Sequence, residues 1–268
     1  MISAPVLKYG VKTNLSLVSI FAALVGSMIL SLAWLFPSLS TNASFTGMVG
    51  ALPPELRDAL GVVSDQSEYF GFLSANYYNS LHIMFLMAFV VLLVYRLASV
   101  PIDTTSLGYF LSGRTSRVSY LMTQILVFVG ALLVVTVSSV LFAALGHLMF
   151  AEGNIEWEGI LTLNLLLFAI FTPLGAVCFL IRMMTKTGTT ALAWSASLVV
   201  VEYFIHIARS LAPDVTWLRY TTVFTLFDVE KFRDDPGALT LTVIALVAAA
   251  IVIALCSLLL FRKKDLNL

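Results

Sequence analysis

The sequence predicts an all-α membrane protein: six transmembrane helices in one domain covering residues 1–268, with both chain ends in the cytoplasm. Three observations carry that expectation. Hydrophobic residues make up 60% of the chain and charged residues only 11%, against about 25% charged in an ordinary soluble domain. Six apolar runs come close to the roughly 20 helical residues needed to cross a hydrocarbon core. The basic residues are also unevenly shared between successive loops, which fixes the direction of the crossings.

Taken in order, the first run, 14–36, is a full crossing rather than the ~7–15-residue core of a signal peptide, and no small-residue cleavage site follows it. It is expected to remain as the first span. The outer segment 37–78 contains "PPELRDALG", with prolines at a helix start, acids in its first turn and Gly61 at a C-cap position. With Phe45, Met48, Val49 and Leu52 beside it, it reads as a short amphipathic piece on the membrane surface or as a connecting hairpin. The second span is 79–100, followed by an inner loop at 101–118. The third, 119–149, is longer than a crossing needs and should tilt or begin below the surface. A short acidic outer segment, 150–158, leads to the fourth span at 159–181, and an inner turn, 182–188, leads to the fifth at 189–208. The fifth is the least apolar, with Glu202, His206 and Arg209 in or beside it. The sixth is 238–261.

With the first residues inside, the inner segments hold Lys8, Lys12, Arg96, Arg114, Arg117, Arg182, Lys186, Arg262, Lys263 and Lys264, ten of the fifteen basic residues. Arg57, Arg209, Arg219, Lys231 and Arg233 fall outside, and of the acids only Asp103 and Asp265 fall inside. That is the positive-inside pattern.

The outer segment 209–237 is rich in aromatics, with Trp217, Tyr220, Phe224, Phe227 and Phe232 among charges. Two readings stand side by side: an interfacial belt, or a re-entrant hairpin covered by other helices and close to a pathway. Glu202 and His206 are four apart and share a helix face. An acid at mid-bilayer costs about 2.5–3.5 kcal/mol on insertion scales, so it faces protein or water. The pair either lines a passage or forms a buried hydrogen-bonding contact between helices.

Chemistry-bearing motifs are scarce. No G-x-x-x-x-G-K-[ST], H-E-x-x-H or G-x-S-x-G occurs, and no loop on the inner side is large enough for a nucleotide-binding fold. Cys178 and Cys256 both lie in apolar runs and give neither a disulfide framework nor a metal-ligand spacing. His82, His147 and His206 all fall toward the outer ends of their spans, as interfacial histidines do, without the spacing of a metal site.

The inner loop is more informative. "DTTSLGYFLSGRTSR" runs from Asp103 to Arg117. Asp103 stands for an acid, Ser106 for a hydroxyl residue, Leu107 for a leucine, and Phe110-Leu111 for a leucine pair; Ser112 and then Ser116-Arg117 complete the pattern. This order resembles the cytoplasmic loop after the second span in ABC-2 type ABC transporter permeases. Thr105 stands where glycine is common there, and Arg114 where proline is common. The long first outer segment, the six spans, the aromatic segment before the last span and the ending "FRKKDLNL" are similar to that family as well.

The resemblance implies a non-catalytic permease subunit in a bacterial plasma membrane, exporting a cargo. It implies pairing with a second permease copy or a similar one, and docking on separate ABC ATPase subunits. The loop at 101–118 would form a coupling helix, with Asp103, Ser106, Leu107, Phe110, Leu111, Arg114 and Arg117 at the contact. ATP and Mg would sit on the partner ATPase and no cofactor on this chain. Besides these partners only the lipid bilayer is expected, and no nucleic acid. Glu202, His206, Trp217, Tyr220, Phe224 and Phe227 would line or gate the path. The rival readings are a self-contained secondary transporter or channel using Glu202 and His206, and a membrane-embedded enzyme.

Overall fold

The computed structural model describes residues 2–40, 68–104, 106–111, 115–211, 215, 221–226, 232 and 236–264. Every regular element among them is helical, and six helices are long and apolar enough to cross a membrane. The elements are α1 (Ala4–Ser40), α2 (Tyr69–Asp103), α3 (Ser106–Leu111), α4 (Arg117–Phe150), α5 (Trp157–Met184), α6 (Gly188–Leu211) and α7 (Pro236–Lys263). A 3-10 turn, Val223–Leu226, lies between α6 and α7. Ala4, Asp103, Met184 and Lys263 fall at one end of the bundle, called the basic end below; Tyr69, Phe150 and the 3-10 turn fall toward the far end.

Each apolar run lies inside one of these helices, but several helices outrun it. α1 has 37 residues, about 55 Å at 1.5 Å per residue, so it overshoots the ~30 Å hydrocarbon core. Its start is pinned at the basic end, where the Ser3 N–H donates to Thr123 Oγ1 at 3.1 Å. α4 begins where Ser116, extended at φ −76° and ψ 156°, accepts the Ser119 N–H on its Oγ at 3.1 Å. That is an N-cap worth about 1 kcal/mol.

α2, like α1, begins about ten residues before its apolar run, at Tyr69 rather than near residue 79. The stretch 69–78 reads from the sequence as part of the outer segment because Ser74, Asn76, Tyr77 and Tyr78 carry polar atoms. It is nonetheless helical, wound as a π-helix over Ser74–His82, with Tyr77 and Tyr78 fully buried. Tyr78 Oη shares a hydrogen bond with Ser139 Oγ at 2.9 Å and accepts one from Asn164 Nδ2 at 3.4 Å. His82 Nδ1 meets Tyr77 Oη at 2.9 Å. Polar tips with internal partners can be buried without the usual desolvation penalty.

α5 is the centre of the bundle, in contact with α2, α4, α6 and α7, while α1 packs along α4. Of its most apolar 18-residue stretch 67% is buried, against 17% for α6 and for α7; these two helices present most of their surface outward. Close approach of α4 and α5 depends on Gly175, where a Cβ would collide with the Phe128 ring, itself edge-on to Phe179 at 5.9 Å. Small residues at helix contacts serve the same purpose throughout membrane proteins.

Candidate functional site

At the basic end, α2 stops at Asp103 and α3 begins at Ser106. Ser106 Oγ donates to the Pro101 carbonyl at 3.3 Å and shares a hydrogen bond with Thr104 Oγ1 at 3.0 Å, which tightens the corner between the two helices. Leu107 is fully buried. Phe110 lies 5.1 Å from Tyr9 and 5.9 Å from Tyr120 by ring centroids, and Leu111 packs on the same core. The three apolar residues of the loop therefore fasten α3 to its own bundle. Tyr109, 83% exposed, stands on the opposite face. Arg114 lies outside the described residues.

Asp103 is partly exposed, and both of its carboxylate oxygens are engaged. Its Oδ1 pairs with Arg182 Nη2 at 2.6 Å, and its Oδ2 accepts the Gly188 N–H at 2.7 Å, a carboxylate at the first turn of α6 where the helix dipole favours it. Gly188 has no room for a side chain, since a Cβ there would run into Asp103 Oδ2 and lie 2.8 Å from Ser99 Cβ. Arg182, only 1% exposed, donates a second bond from Nη1 to the Thr185 carbonyl at 3.1 Å. Lys264 Nζ then donates to the carbonyls of Arg182, Met183 and Thr185 at 2.9, 3.1 and 2.6 Å. Its own carbonyl accepts from Arg117 Nη1 at 2.7 Å. Burial, with Arg182 adding to it and Asp103 opposing, pulls the Lys264 ammonium down to about 8. Both ends of the 101–118 loop are thus joined to the α5–α6 turn and to the residue after α7.

Sequence reasoning selected Asp103 and Arg117 as contacts for a partner and did not foresee Arg182, Gly188 or Lys264 as theirs. The only signal available was Arg182 itself, a cation at the end of an apolar run.

At the far end, Glu202 holds the 3-10 turn. Its Oε2 accepts the Val223 N–H at 3.1 Å, and its backbone carbonyl accepts from Thr222 Oγ1 at 3.1 Å. Thr222 Oγ1 in turn takes the Phe224 N–H at 3.2 Å. These bonds hold Phe224 fully buried, with ring centroids 5.7 Å from Phe171, 6.1 Å from Tyr203 and 6.0 Å from His206. Glu202 and His206 share a face as expected, yet they serve the turn in different ways: the acid takes its backbone and the imidazole packs on its aromatic ring. Trp217, Tyr220 and Phe227 lie outside the described residues.

The other two histidines are interior. His82 is 1% exposed, and His147 lies edge-on to Tyr69 at 5.2 Å. Among the described residues no three His, Cys, Asp or Glu side chains gather in a way that could hold a metal.

No protein-family profile matches the chain, and no curated protein matches it.

Proposed function

We propose that this multi-pass membrane protein is the transmembrane subunit of an ATP-driven transporter of the ABC-2 kind, exporting its cargo across a bacterial plasma membrane. It works as a pair, with a second copy or a similar permease, and ATP and Mg bind only on separate ATPase chains. The basic end faces the cytoplasm, in keeping with the distribution of Lys and Arg.

The observation that carries this reading is α3. It is a short helix set between two spans at the basic end, held on its inner face by Leu107, Phe110 and Leu111, with Tyr109 outward. As a coupling helix it would offer Tyr109 to the ATPase, with Arg114 and Arg117 at the rim of the contact. Asp103, Arg182 and Lys264 then join α3 to α5, α6 and α7, so that a push on α3 moves several spans together. At the far end the 221–226 turn serves as the outer gate. Val223 hangs from Glu202, nine residues before the end of α6, about 13 Å below that end at 1.5 Å per residue. That depth favours a re-entrant segment.

Co-purification tests the reading. The full chain, expressed with the genes that neighbour it, should carry an ATPase through purification, and Tyr109→Glu should weaken that association. A transport-active preparation containing no ATPase would overturn it. Single cysteines at Tyr109 and Glu152 should label from opposite sides of the membrane; labelling from one side would refute the orientation.

A further inference from the structure

A groove runs between α5 and α6, with a volume of about 600 Å³, within the ~300–1,000 Å³ of sites for drug-sized ligands. Its walls are apolar: Ile181 and Met184 from α5, and Trp194, Leu198 and Val201 from α6, ending at Glu202. The α6 residues follow one another at helical spacing, so they form a single stripe. From Trp194 to Glu202 the stripe rises about 12 Å. Trp194 is 64% exposed and Val201 54%, which leaves the groove open sideways toward the bilayer.

Glu202 sets this groove apart from an ordinary lipid-facing furrow. In the six spans the other carboxylates, Asp103 and Glu158, stand at helix ends; Glu202 alone lies well inside one. Only its Oε2 is engaged by Val223. Among the described residues no cation comes within ion-pair distance of it, and none is offered to Oε1. A carboxylate at that depth demands a counter-charge. The groove provides what a greasy cation needs: an apolar body site, an indole face for cation–π attraction and one carboxylate.

We propose that the α5–α6 groove binds a lipophilic monocation, with its charge against Glu202 and its apolar body along Leu198, Val201 and Trp194. A neutral acyl chain would leave the carboxylate without a counter-charge, and an anionic amphiphile would be repelled. The inference rests on the transporter reading only in taking this molecule as the cargo; the binding itself is a property of this chain alone.

The test uses the full chain purified in a neutral detergent, without any ATPase, and equilibrium dialysis with tetraphenylphosphonium or with tetraphenylborate, its matched anion. Saturable binding of the phosphonium and none of the borate is expected. Glu202→Gln should weaken phosphonium binding about tenfold, the loss of roughly 1.4 kcal/mol, while its amide oxygen still accepts the Val223 N–H and preserves the turn. Val201→Trp, which fills the groove without touching the charge, should abolish binding. Equal binding of the two ions, undiminished binding by Glu202→Gln, or binding that vanishes as the chain self-associates would each overturn the proposal. Failure here leaves the co-purification result standing, and failure there leaves this one standing.

Discussion

At the basic end Arg182 and Lys264 draw together side chains and carbonyls from the end of α2, the start of α4, the α5–α6 turn and the end of α7; at the far end, among the described residues, the 3-10 turn is hydrogen-bonded to α6 through Glu202. The first arrangement is cross-linked and charged around the buried Arg182, so removing that residue breaks its ties to Asp103 and to the α5–α6 turn together. Among the described residues the second is held by two hydrogen bonds to Glu202 and an aromatic seat, and no charged network joins it to the other helices. A protein that has to move one end as a block and release the other would use this division.

The largest expected effect falls on the basic end. Arg182→Met removes a buried cation that bonds both Asp103 and Thr185 and should lower stability by about 2–3 kcal/mol, read as a fall in the unfolding temperature in detergent. Adding Asp103→Asn should restore part of the loss, because the stranded carboxylate is then gone. If the two losses simply add, Arg182 and Asp103 are not coupled and the contrast between the ends weakens. Next comes Gly188→Ala, whose methyl group has to displace Asp103. It should cost about 1–3 kcal/mol, as overpacking does, and should raise hydrogen exchange of the first turn of α6.

At the far end, Glu202→Ala should cost about 1 kcal/mol, and the loss should be local. Exchange of the Val223 and Phe224 amides should quicken with little change in the global unfolding temperature. A global loss as large as that of Arg182→Met would break the comparison.

The smallest effect is a pH dependence. Lys264 titrates at about 8 in the folded chain against an ordinary 10.5. Between those values the unfolded chain binds the extra proton, so stability rises with pH across that window and this group contributes no slope below it. The neutral amine keeps two N–H donors for the three carbonyls. Unfolding temperatures from pH 7.5 to 10.5 should rise in the wild type relative to Lys264→Met; parallel curves would remove Lys264 from the scheme.

The six crossings were legible because a run of about 20 apolar residues has few other fates. Their ends were less so. Tyr69–Tyr78 looked like loop because hydropathy registers the polar atoms of Asn76, Tyr77 and Tyr78 but not the partners that make them buriable. The basic-end network was illegible for another reason. Asp103, Arg182 and Lys264 are some 80 residues apart from one to the next, and nothing local in the sequence says which cation a given acid will meet. Glu202 fell between these cases. Its depth in an apolar helix announced that it needed a partner, but the partner proved to be a backbone N–H, which carries no residue-type signature.

The Lys264 ammonium also bears on how the molecule is made. The carbonyls it caps, at 182, 183 and 185, are synthesised well before it, and it follows the last span. During translation the α5–α6 turn therefore has only its local bonds, Arg182 Nη1 to the Thr185 carbonyl and Thr185 Oγ1 to the Arg182 carbonyl, until α7 brings the lysine back to it. A chain stalled after five spans lacks Lys264, and so lacks the tie by which the last helix closes on that turn.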